Sequence, residues 1–182
     1  VEKGHTILLH AAAGGVGLIA CQWAKHLGAV VIGTVGSDEK AQLAKEHGCD
    51  HVIVYTRENV VARVKEITKG QGVDVVYDSV GRLDCLKTFG MMVSYGNASG
   101  PVEAFAPLLL SKKGSIYLTR PTLMHHIEDE ATYKASAAEL FGLVAKGVIK
   151  VRVGGTYKLA DARKAQEDLE SRKTTGSLIL AP

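Results

Sequence analysis

Apolar positions along the chain follow two different periods. The apolar run Ile7, Leu8 and Leu9 is typical of a strand buried on both faces of a parallel sheet. The period then changes to that of a helix, with an apolar stripe at Val16, Ile19, Ala20, Trp23, Ala24 and Leu27. Gly28 follows as a stop signal. The chain is therefore predicted to begin with a strand, a glycine-rich turn and a helix.

The same alternation continues through the next hundred residues. A helix is predicted for "SDEKAQLAKEHG", with Ser37 as its N-cap and Gly48 as its stop. Further helices are predicted for "ENVVARVKEITKG" and "EATYKASAAELFGLVAKG", and strands for "AVVIGTVG", "HVIVY", "VDVVYDSVG", "GMMVSYG" and "GSIYLT". Strands and helices that alternate over short connections indicate the α/β class. We predict a doubly wound parallel sheet, the Rossmann fold.

Two segments depart from that regular pattern. Only a short connection separates Ser79 from Phe89, so any helix there is expected to have two turns at most. The C-terminal residues are predicted to form a strand, a helix and a strand that do not extend the sheet neatly. This pattern predicts two units, a Rossmann domain over residues 1–150 and a C-terminal segment over residues 151–182.

The glycine-rich turn carries the first chemical signal. The spacing G-x-G-x-x-G appears as Ala12-Ala13-Gly14-Gly15-Val16-Gly17, with alanine in the first glycine position. Gly14 is expected to let phosphates approach the backbone, and Gly17 to let the helix pack closely on the strand. Ala12 is expected to have an ordinary backbone conformation. A purely structural turn would also use glycine, but the strand before it and the helix after it favour a dinucleotide site.

Composition excludes several other classes of protein. The 182 residues carry a net charge of +3 without long blocks of one sign, which gives no support to a nucleic-acid or membrane-surface role. No apolar run approaches a membrane span, and the first residues lack a signal-peptide pattern, so a cytoplasmic location is expected. Cys21, Cys49 and Cys85 are expected to be buried, reduced thiols. His125 and His126, expected on a loop, do not by themselves supply a zinc ligand set.

Several sequence blocks resemble the NADPH-dependent quinone oxidoreductases (zeta-crystallin type) of the medium-chain dehydrogenase/reductase superfamily. They are "HAAAGGVGLIACQWAKHLGA", "KEITKGQGVDVVYDSVG", "LDCL", "MMVSYGNASGPV" and "ESRKTTGSLIL", and they occur in the family's order. The resemblance implies zinc-independent hydride transfer from NADPH to a small-molecule quinone, and a homodimer.

The chain departs from that family in two ways. Members similar to it begin with a GroES-like catalytic domain ahead of the position of Val1, and they have about half a dozen more residues between "DSVG" and "LDCL". We therefore interpret the chain as the nucleotide-binding half with the C-terminal segment that returns to the catalytic domain. The family's quinone pocket is lined largely by that other domain.

The end of the second strand bears on which dinucleotide binds. An NAD-specific site has a carboxylate there, whereas this chain has Gly36 and Ser37, with Asp38 one step further on. Lys40 and Tyr55 match the positions that hold the 2′-phosphate of NADPH in the family. A solvated helix lysine is the alternative interpretation of Lys40. The resemblance therefore implies a preference for NADPH.

Other candidates follow later strands. Ser79, Tyr95 and Asn97 come after the fourth and fifth strands, where the ligands of open α/β sheets bind. Arg172 matches a late arginine that reaches the adenosine end of NADPH in the family, although an exposed helix-end arginine is equally consistent with its position.

We predict no catalytic acid or base, because hydride transfer to a quinone needs mainly correct placement of the two rings. A short-chain dehydrogenase is excluded because none of the tyrosines has a lysine four residues later. A methyltransferase is disfavoured because the second strand lacks an acid at its tip. A non-catalytic NADPH-binding module, or a structural protein similar to the lens form of the family, remains open.

Overall fold

A computed structural model describes residues 1–78, 83–96, 104–171 and 174–182. Its main layer is a parallel six-stranded sheet in the order β3-β2-β1-β4-β5-β6. The strands are β1 (Thr6–Leu9), β2 (Val30–Val35), β3 (His51–Val54), β4 (Val73–Asp78), β5 (Leu86–Ser94) and β6 (Tyr117–Thr119). This order reverses direction between β1 and β4, which makes the carboxyl edge of those two strands the topological switch point.

Helices connect most of these strands, and two more helices directly follow β6. They are α1 (Gly15–His26), α2 (Asp38–Glu46), α3 (Val60–Ile67), α4 (Leu108–Lys112), α5 (Leu123–Ile127) and α6 (Glu130–Ala145). The predicted cap of α2 is confirmed, because Ser37 Oγ accepts the N–H of Lys40 at 3.4 Å. The predicted stops are also confirmed, since Gly28 and Gly48 have φ of +86° and +99°.

Each face of the sheet has its own apolar core. The core on one side includes Leu18 and Cys21 of α1 and Leu43 of α2, packed on the β1 and β2 side chains of that face. The core on the other side includes Val60 and Val64 of α3. Because helices cover both faces, the predicted doubly wound α/β fold is confirmed.

The predicted apolar stripe of α1 is wrong in part. Val16 is 69% exposed and Leu27 is 40% exposed. The buried side of the helix is instead formed by Gly17, Leu18, Cys21 and Ala24. The two mispredicted residues stand at the two ends of the helix, Val16 in its first turn and Leu27 at its C-cap.

The connection between β4 and β5 is short, as predicted. After residues 79–82, which lie outside the described part, a single 3-10 turn spans Leu83–Cys85 and leads directly into β5. The fifth strand begins before the predicted "GMMVSYG", and its register with β4 shifts between Val73 and Val75. The short helices α4 and α5 were not predicted. His125 and His126 therefore lie on a helix and not on the predicted loop.

The C-terminal residues form a second, two-stranded parallel sheet. Its strands β7 (Val153–Lys158) and β8 (Ser177–Ala181) flank a 3-10 turn and α7 (Ala162–Glu170). This confirms the predicted strand, helix and strand outside the main sheet. Assignment of this segment to a separate domain over residues 151–182, apart from residues 1–150, stays a prediction.

Candidate functional site

Four of the loops predicted to carry the site meet at the carboxyl edge of the sheet. The glycine-rich turn follows β1, Gly36 and Ser37 follow β2, Tyr55 follows β3 and Tyr95 follows β5. Because parallel strands end at the same edge, this topology brings these predicted residues to one side of the sheet. Ser79, Asn97 and Arg172 lie outside the described residues.

A side chain at each of the three glycines of the turn would meet different surroundings. A Cβ on Gly17 would lie 2.3 Å from the carbonyl oxygen of Ala11, so Gly17 lets the helix pack on the turn, as predicted. A Cβ on Gly15 would lie 2.8 Å from Ser177 Oγ, so Gly15 makes room for the C-terminal segment. A Cβ on Gly14 would have one described neighbour within 4 Å, the Ala11 carbonyl oxygen at 3.2 Å.

Gly14 is also in an ordinary conformation, with φ of −79° and ψ of 174° at the N-cap of α1. Its backbone angles do not require glycine, and a Cβ there would make one tight contact, with the Ala11 carbonyl oxygen. On its other sides the missing side chain leaves the start of α1 open to an approaching group. The first N–H groups of a helix have no intrahelical partners and lie at the positive end of its dipole, so this opening suits an anion.

The left-handed residue of the turn is Ala11, with φ of +54°. Ala12, in the position of the first glycine, keeps an ordinary φ as predicted, and its side chain is fully buried. Its backbone N–H donates to the carbonyl oxygen of Thr34 at 3.1 Å, which ties the turn to β2. The left-handed conformation of this turn is therefore at Ala11, and alanine fits at position 12 because no positive φ is needed there.

The second strand ends against a tyrosine from the third. Tyr55 Oη lies 2.9 Å from the position that a Cβ on Gly36 would take, and Thr56 Oγ1 donates to the carbonyl oxygen of Gly36 at 3.3 Å. Tyr55 remains 44% exposed. Lys40 stands on the first turn of α2, one turn from Ser37. The candidate readers of a 2′-phosphate therefore lie at the ends of two neighbouring strands, Lys40 on the helix after β2 and Tyr55 in the loop after β3.

An ion pair that the sequence did not reveal joins these same loops. Arg57 donates from Nη1 and Nη2 to the two carboxylate oxygens of Asp38, at 2.6 and 2.5 Å. The Arg57 guanidinium holds the pKa of Asp38 below its usual range, mainly through these hydrogen bonds. The acid beside the strand tip is therefore ionised at neutral pH and already engaged.

Two further polar pairs at this edge were missed by sequence reasoning. The ring of His10, directly after β1, has Nδ1 2.8 Å from Thr34 Oγ1 on β2, and both residues are buried. Arg120, directly after β6, donates to Ser94 Oγ at 2.7 Å. Position was the available signal, since His10 and Arg120 each follow a strand at the carboxyl edge.

The predicted thiols are free and buried, which confirms that expectation. Cys21 and Cys49 come together from α1 and the segment before β3, with their sulfur atoms 3.2 Å apart. Within the described ranges, no group of three or more His, Cys, Asp or Glu side chains is arranged to hold a metal ion. These residues do not form a zinc site, and zinc independence stays a prediction.

The fold and the glycine-rich turn define the class of doubly wound dinucleotide-binding domains. The sequence model of the family described as zinc-binding dehydrogenase matches residues 15–141. The chain belongs to this family.

Individual relatives are similar over the whole chain. A quinone oxidoreductase from Salmonella typhimurium is 55% identical over 190 residues, covering 100% of this chain and 58% of that protein. A 2-haloacrylate reductase from a Burkholderia species is 42% identical, with 100% of this chain and 57% of that protein covered. The crystal structure of Escherichia coli quinone oxidoreductase complexed with NADPH matches with a TM-score of 0.96 at 52% identity. That match covers 100% of this chain and 58% of the Escherichia coli chain.

The chain therefore spans a little over half the length of these relatives. The alignment to the Salmonella protein has 190 positions, whereas the chain has 182 residues. The alignment therefore includes positions at which the Salmonella protein has residues that this chain lacks. None of the helices in the described ranges combines the length and apolar character needed to cross a membrane.

Proposed function

We propose that the chain is the NADPH-binding portion of a zinc-independent quinone oxidoreductase, which transfers hydride from NADPH to a quinone. Gly14 is the observation that carries this proposal. It is a glycine that its own φ does not require, and it stands where a pyrophosphate would meet the start of α1. The similarity to named reductases, one of them crystallised with NADPH, favours this function over a non-catalytic module.

In this proposal the pyrophosphate rests against the N–H groups of Gly15, Val16 and Gly17, where the dipole of α1 favours negative charge. Gly14 gives the phosphates access, and Gly36 and Ser37 border the ribose. Lys40 supplies a compact cation and Tyr55 a hydroxyl donor for the 2′-phosphate. These residues fit an anionic dinucleotide with an extra phosphate.

Arg172 is proposed to reach the adenosine end. Ser79, Tyr95 and Asn97 are proposed to border the nicotinamide end, because they follow the strands on the other side of the switch point. Bound NADPH supplies the hydride. The work of this chain is to hold and orient the dinucleotide, and the proposal assigns no acid or base.

The quinone acceptor is proposed from the relatives' names and from the resemblance. The 2-haloacrylate reductase gives a second candidate acceptor, an alkene made electron-poor by its substituents. Measuring NADPH oxidation with 1,4-benzoquinone and with 2-chloroacrylate distinguishes these acceptors.

The binding step is tested by titrating the chain with NADPH and following nucleotide fluorescence. Gly14→Val should abolish binding while the fold is retained, because its branched side chain fills the space reserved for pyrophosphate. Gly142→Val is the matched control, since a Cβ there meets nothing within 4 Å among the described residues. Unchanged affinity in Gly14→Val would reject a phosphate-binding role for this turn.

We also propose a homodimer, a cytoplasmic location and no nucleic-acid partner. The dimer is supported by β6, which is the end strand of the six-stranded sheet and exposes Tyr117 and Leu118. An exposed apolar edge strand is suited to pairing with a second copy. Leu118→Lys should therefore shift the mass measured by light scattering from dimer to monomer.

The cytoplasmic location is supported by the free, buried cysteines, which are consistent with a reducing compartment.

A further inference from the structure

The pair formed by Asp38 and Arg57 lies where the dinucleotide's 2′ position is expected. Asp38 is the first residue of α2, directly after Ser37, and Arg57 lies in the connection between β3 and α3. That connection is held against the end of β2 by the hydrogen bond from Thr56 to Gly36. The ion pair therefore joins the start of α2, which carries Lys40, to the loop that carries Tyr55.

The charge of Asp38 is a difficulty for a site that binds a phosphate. Dinucleotide sites that select NADH place a carboxylate near the ribose 2′-hydroxyl, and such a carboxylate repels a 2′-phosphate. Asp38 stands one residue beyond that position. The carboxyl is charged at neutral pH, as an exposed aspartate ordinarily is, and Arg57 lowers its pKa further.

Arg57 counteracts two effects of that charge, the repulsion of a 2′-phosphate and the attraction of a ribose 2′-hydroxyl. Its guanidinium engages both carboxylate oxygens in the two-pronged geometry that arginine makes with carboxylates. The carboxylate of Glu58, the next residue, is engaged elsewhere: Oε1 accepts the backbone N–H of Val54 at 2.7 Å, and Oε2 pairs with Arg63 at 3.0 Å. The charge of Asp38 is thus balanced at close range, and each of its oxygens already accepts a hydrogen bond.

A purely structural role does not account for this pair. The side chain of Arg57 is 57% exposed and that of Asp38 is 72% exposed. Exposed ion pairs of this kind contribute little to the stability of a fold. The loops already have other links in the capping hydrogen bond of Ser37 and the bond from Thr56 to Gly36.

We propose that Arg57 is a positioning residue for dinucleotide selection, which secures the preference for NADPH by holding and neutralising Asp38. This inference rests on the proposed NADPH-binding function. It assigns selection to a pair formed by this chain's own side chains, beyond the direct phosphate contacts proposed for Lys40 and Tyr55.

The test measures dissociation constants for NADPH and NADH at equal ionic strength. Arg57→Ala should weaken NADPH binding about tenfold, because an unpaired carboxylate then faces the 2′-phosphate at close range. NADH binding should be unchanged or tighter, since the freed Asp38 can accept a hydrogen bond from the ribose 2′-hydroxyl. The double variant Asp38→Ala with Arg57→Ala should bring NADPH affinity back to near that of the unchanged chain.

Lys25→Ala is the matched control, because it removes a positive charge from the ion pair of Lys25 with Asp50 at the opposite edge of the sheet. It should leave the NADPH to NADH ratio unaltered. Equal losses for both dinucleotides in Arg57→Ala, or no recovery in the double variant, would overturn the inference while NADPH binding stands. An unchanged chain that binds neither dinucleotide would instead reject the proposed function and this inference with it.

Discussion

Gly176 donates its backbone N–H to the carbonyl oxygen of Ala13 at 3.2 Å, and it forms an isolated parallel bridge with Gly14. This contact joins the C-terminal segment to the turn that is proposed to bind pyrophosphate. Gly15 allows the approach, since a Cβ there would meet Ser177. The segment over residues 174–182 therefore supports the turn, and loss of this contact should make the proposed dinucleotide site less rigid.

Gly176→Ala is the substitution that tests this brace. Gly176 has φ of +65°, and a Cβ there would lie 2.5 Å from the carbonyl oxygen of Arg152. We expect a loss of about 2–4 kcal/mol in the free energy of unfolding, measured by urea denaturation, from backbone strain together with the clash. Hydrogen exchange at Gly14 and Gly15 should become faster.

Gly147→Ala separates these two causes. Gly147 has φ of +72°, but a Cβ there meets nothing within 4 Å among the described residues. Its loss should stay near about 1 kcal/mol, the cost of the left-handed conformation alone. Equal losses in the two variants would mean that the C-terminal contact is not close-packed.

Gly17→Ala tests the packing of α1 on the turn. The added methyl group would lie 2.3 Å from the carbonyl oxygen of Ala11 and 2.8 Å from backbone atoms of Ala12, so the helix must move. Urea denaturation should show a loss of roughly 1–3 kcal/mol, the usual range for overpacking. Gly142→Ala, in the open part of α6, should instead gain about 0.5–1 kcal/mol because alanine is the better helix former. A gain in both variants would contradict the close contact.

The fold was largely predictable because its elements are encoded locally. Apolar β-branched runs, N-caps such as Ser37 and stops such as Gly28 and Gly48 each act within a few residues. The exposed face of α1 was mispredicted for a non-local reason, since apolar periodicity does not tell which side of the helix packs on the sheet. The early start of β5 was also missed, because its first residues are recruited by pairing with β4 in a shifted register.

The site was predictable only where a motif fixes the geometry. The glycine spacing located the turn, and the strand ends located Gly36, Ser37 and Tyr55. The pairing of Asp38 with Arg57 joins residues from separate loops, and the contact of His10 with Thr34 joins neighbouring strands. Such pairs depend on how loops from different strands meet, which spacing along one sequence does not specify.

Lys40→Ala tests direct recognition of the 2′-phosphate. Removing the ammonium should weaken NADPH binding by roughly 1–3 kcal/mol, the range for a hydrogen bond to a charged group, and leave NADH binding nearly unaltered. Isothermal titration with both dinucleotides gives the two affinities. Lys45→Ala, later on the same helix, serves as the control for loss of one positive charge. Equal weakening of both dinucleotides would remove Lys40 as a reader of the phosphate.

The 182 residues by themselves are expected to bind NADPH but to reduce quinone poorly. In the resembled family the quinone pocket is lined largely by another domain, and the chain spans 58% of its Salmonella relative. When that other domain does not help to hold the quinone against the nicotinamide, most of the benefit of orientation is lost. That benefit can lower the reaction barrier by up to ~7–11 kcal/mol. NADPH oxidation with 1,4-benzoquinone should therefore be far below a typical turnover of about 10 per second. A rate near that value would show that the described edge forms a complete active site.

Acid should destabilise the fold through two carboxylates at the amino-terminal edge of the sheet. Asp74 accepts the N–H of Thr6 at 2.8 Å and pairs with Lys87. Asp50 accepts the N–H of Val31 at 2.9 Å and pairs with Lys25. Partial burial raises the pKa of each carboxyl, but the lysine and backbone donors together lower it further, so each pKa lies below its ordinary value.

A lowered pKa means that the folded state binds fewer protons than the unfolded state in the acid range. The stabilisation is therefore fully present above the unfolded aspartate pKa of about 3.9, and it is lost as the pH falls through the lower folded values. Urea denaturation from pH 7 to pH 2 should give a free energy of unfolding that is flat near neutrality and falls below about pH 4. Asp74→Asn should lose about 1 kcal/mol at pH 7 and show a shallower fall, because one of the carboxyl groups with a lowered pKa no longer titrates. Asp84→Asn is the control. It removes a carboxylate that pairs with Lys113 and is more exposed than Asp74, and it should keep the full slope. A curve for Asp74→Asn that runs parallel to that of the unchanged chain would show that the contact with Thr6 and Lys87 does not hold the Asp74 carboxylate.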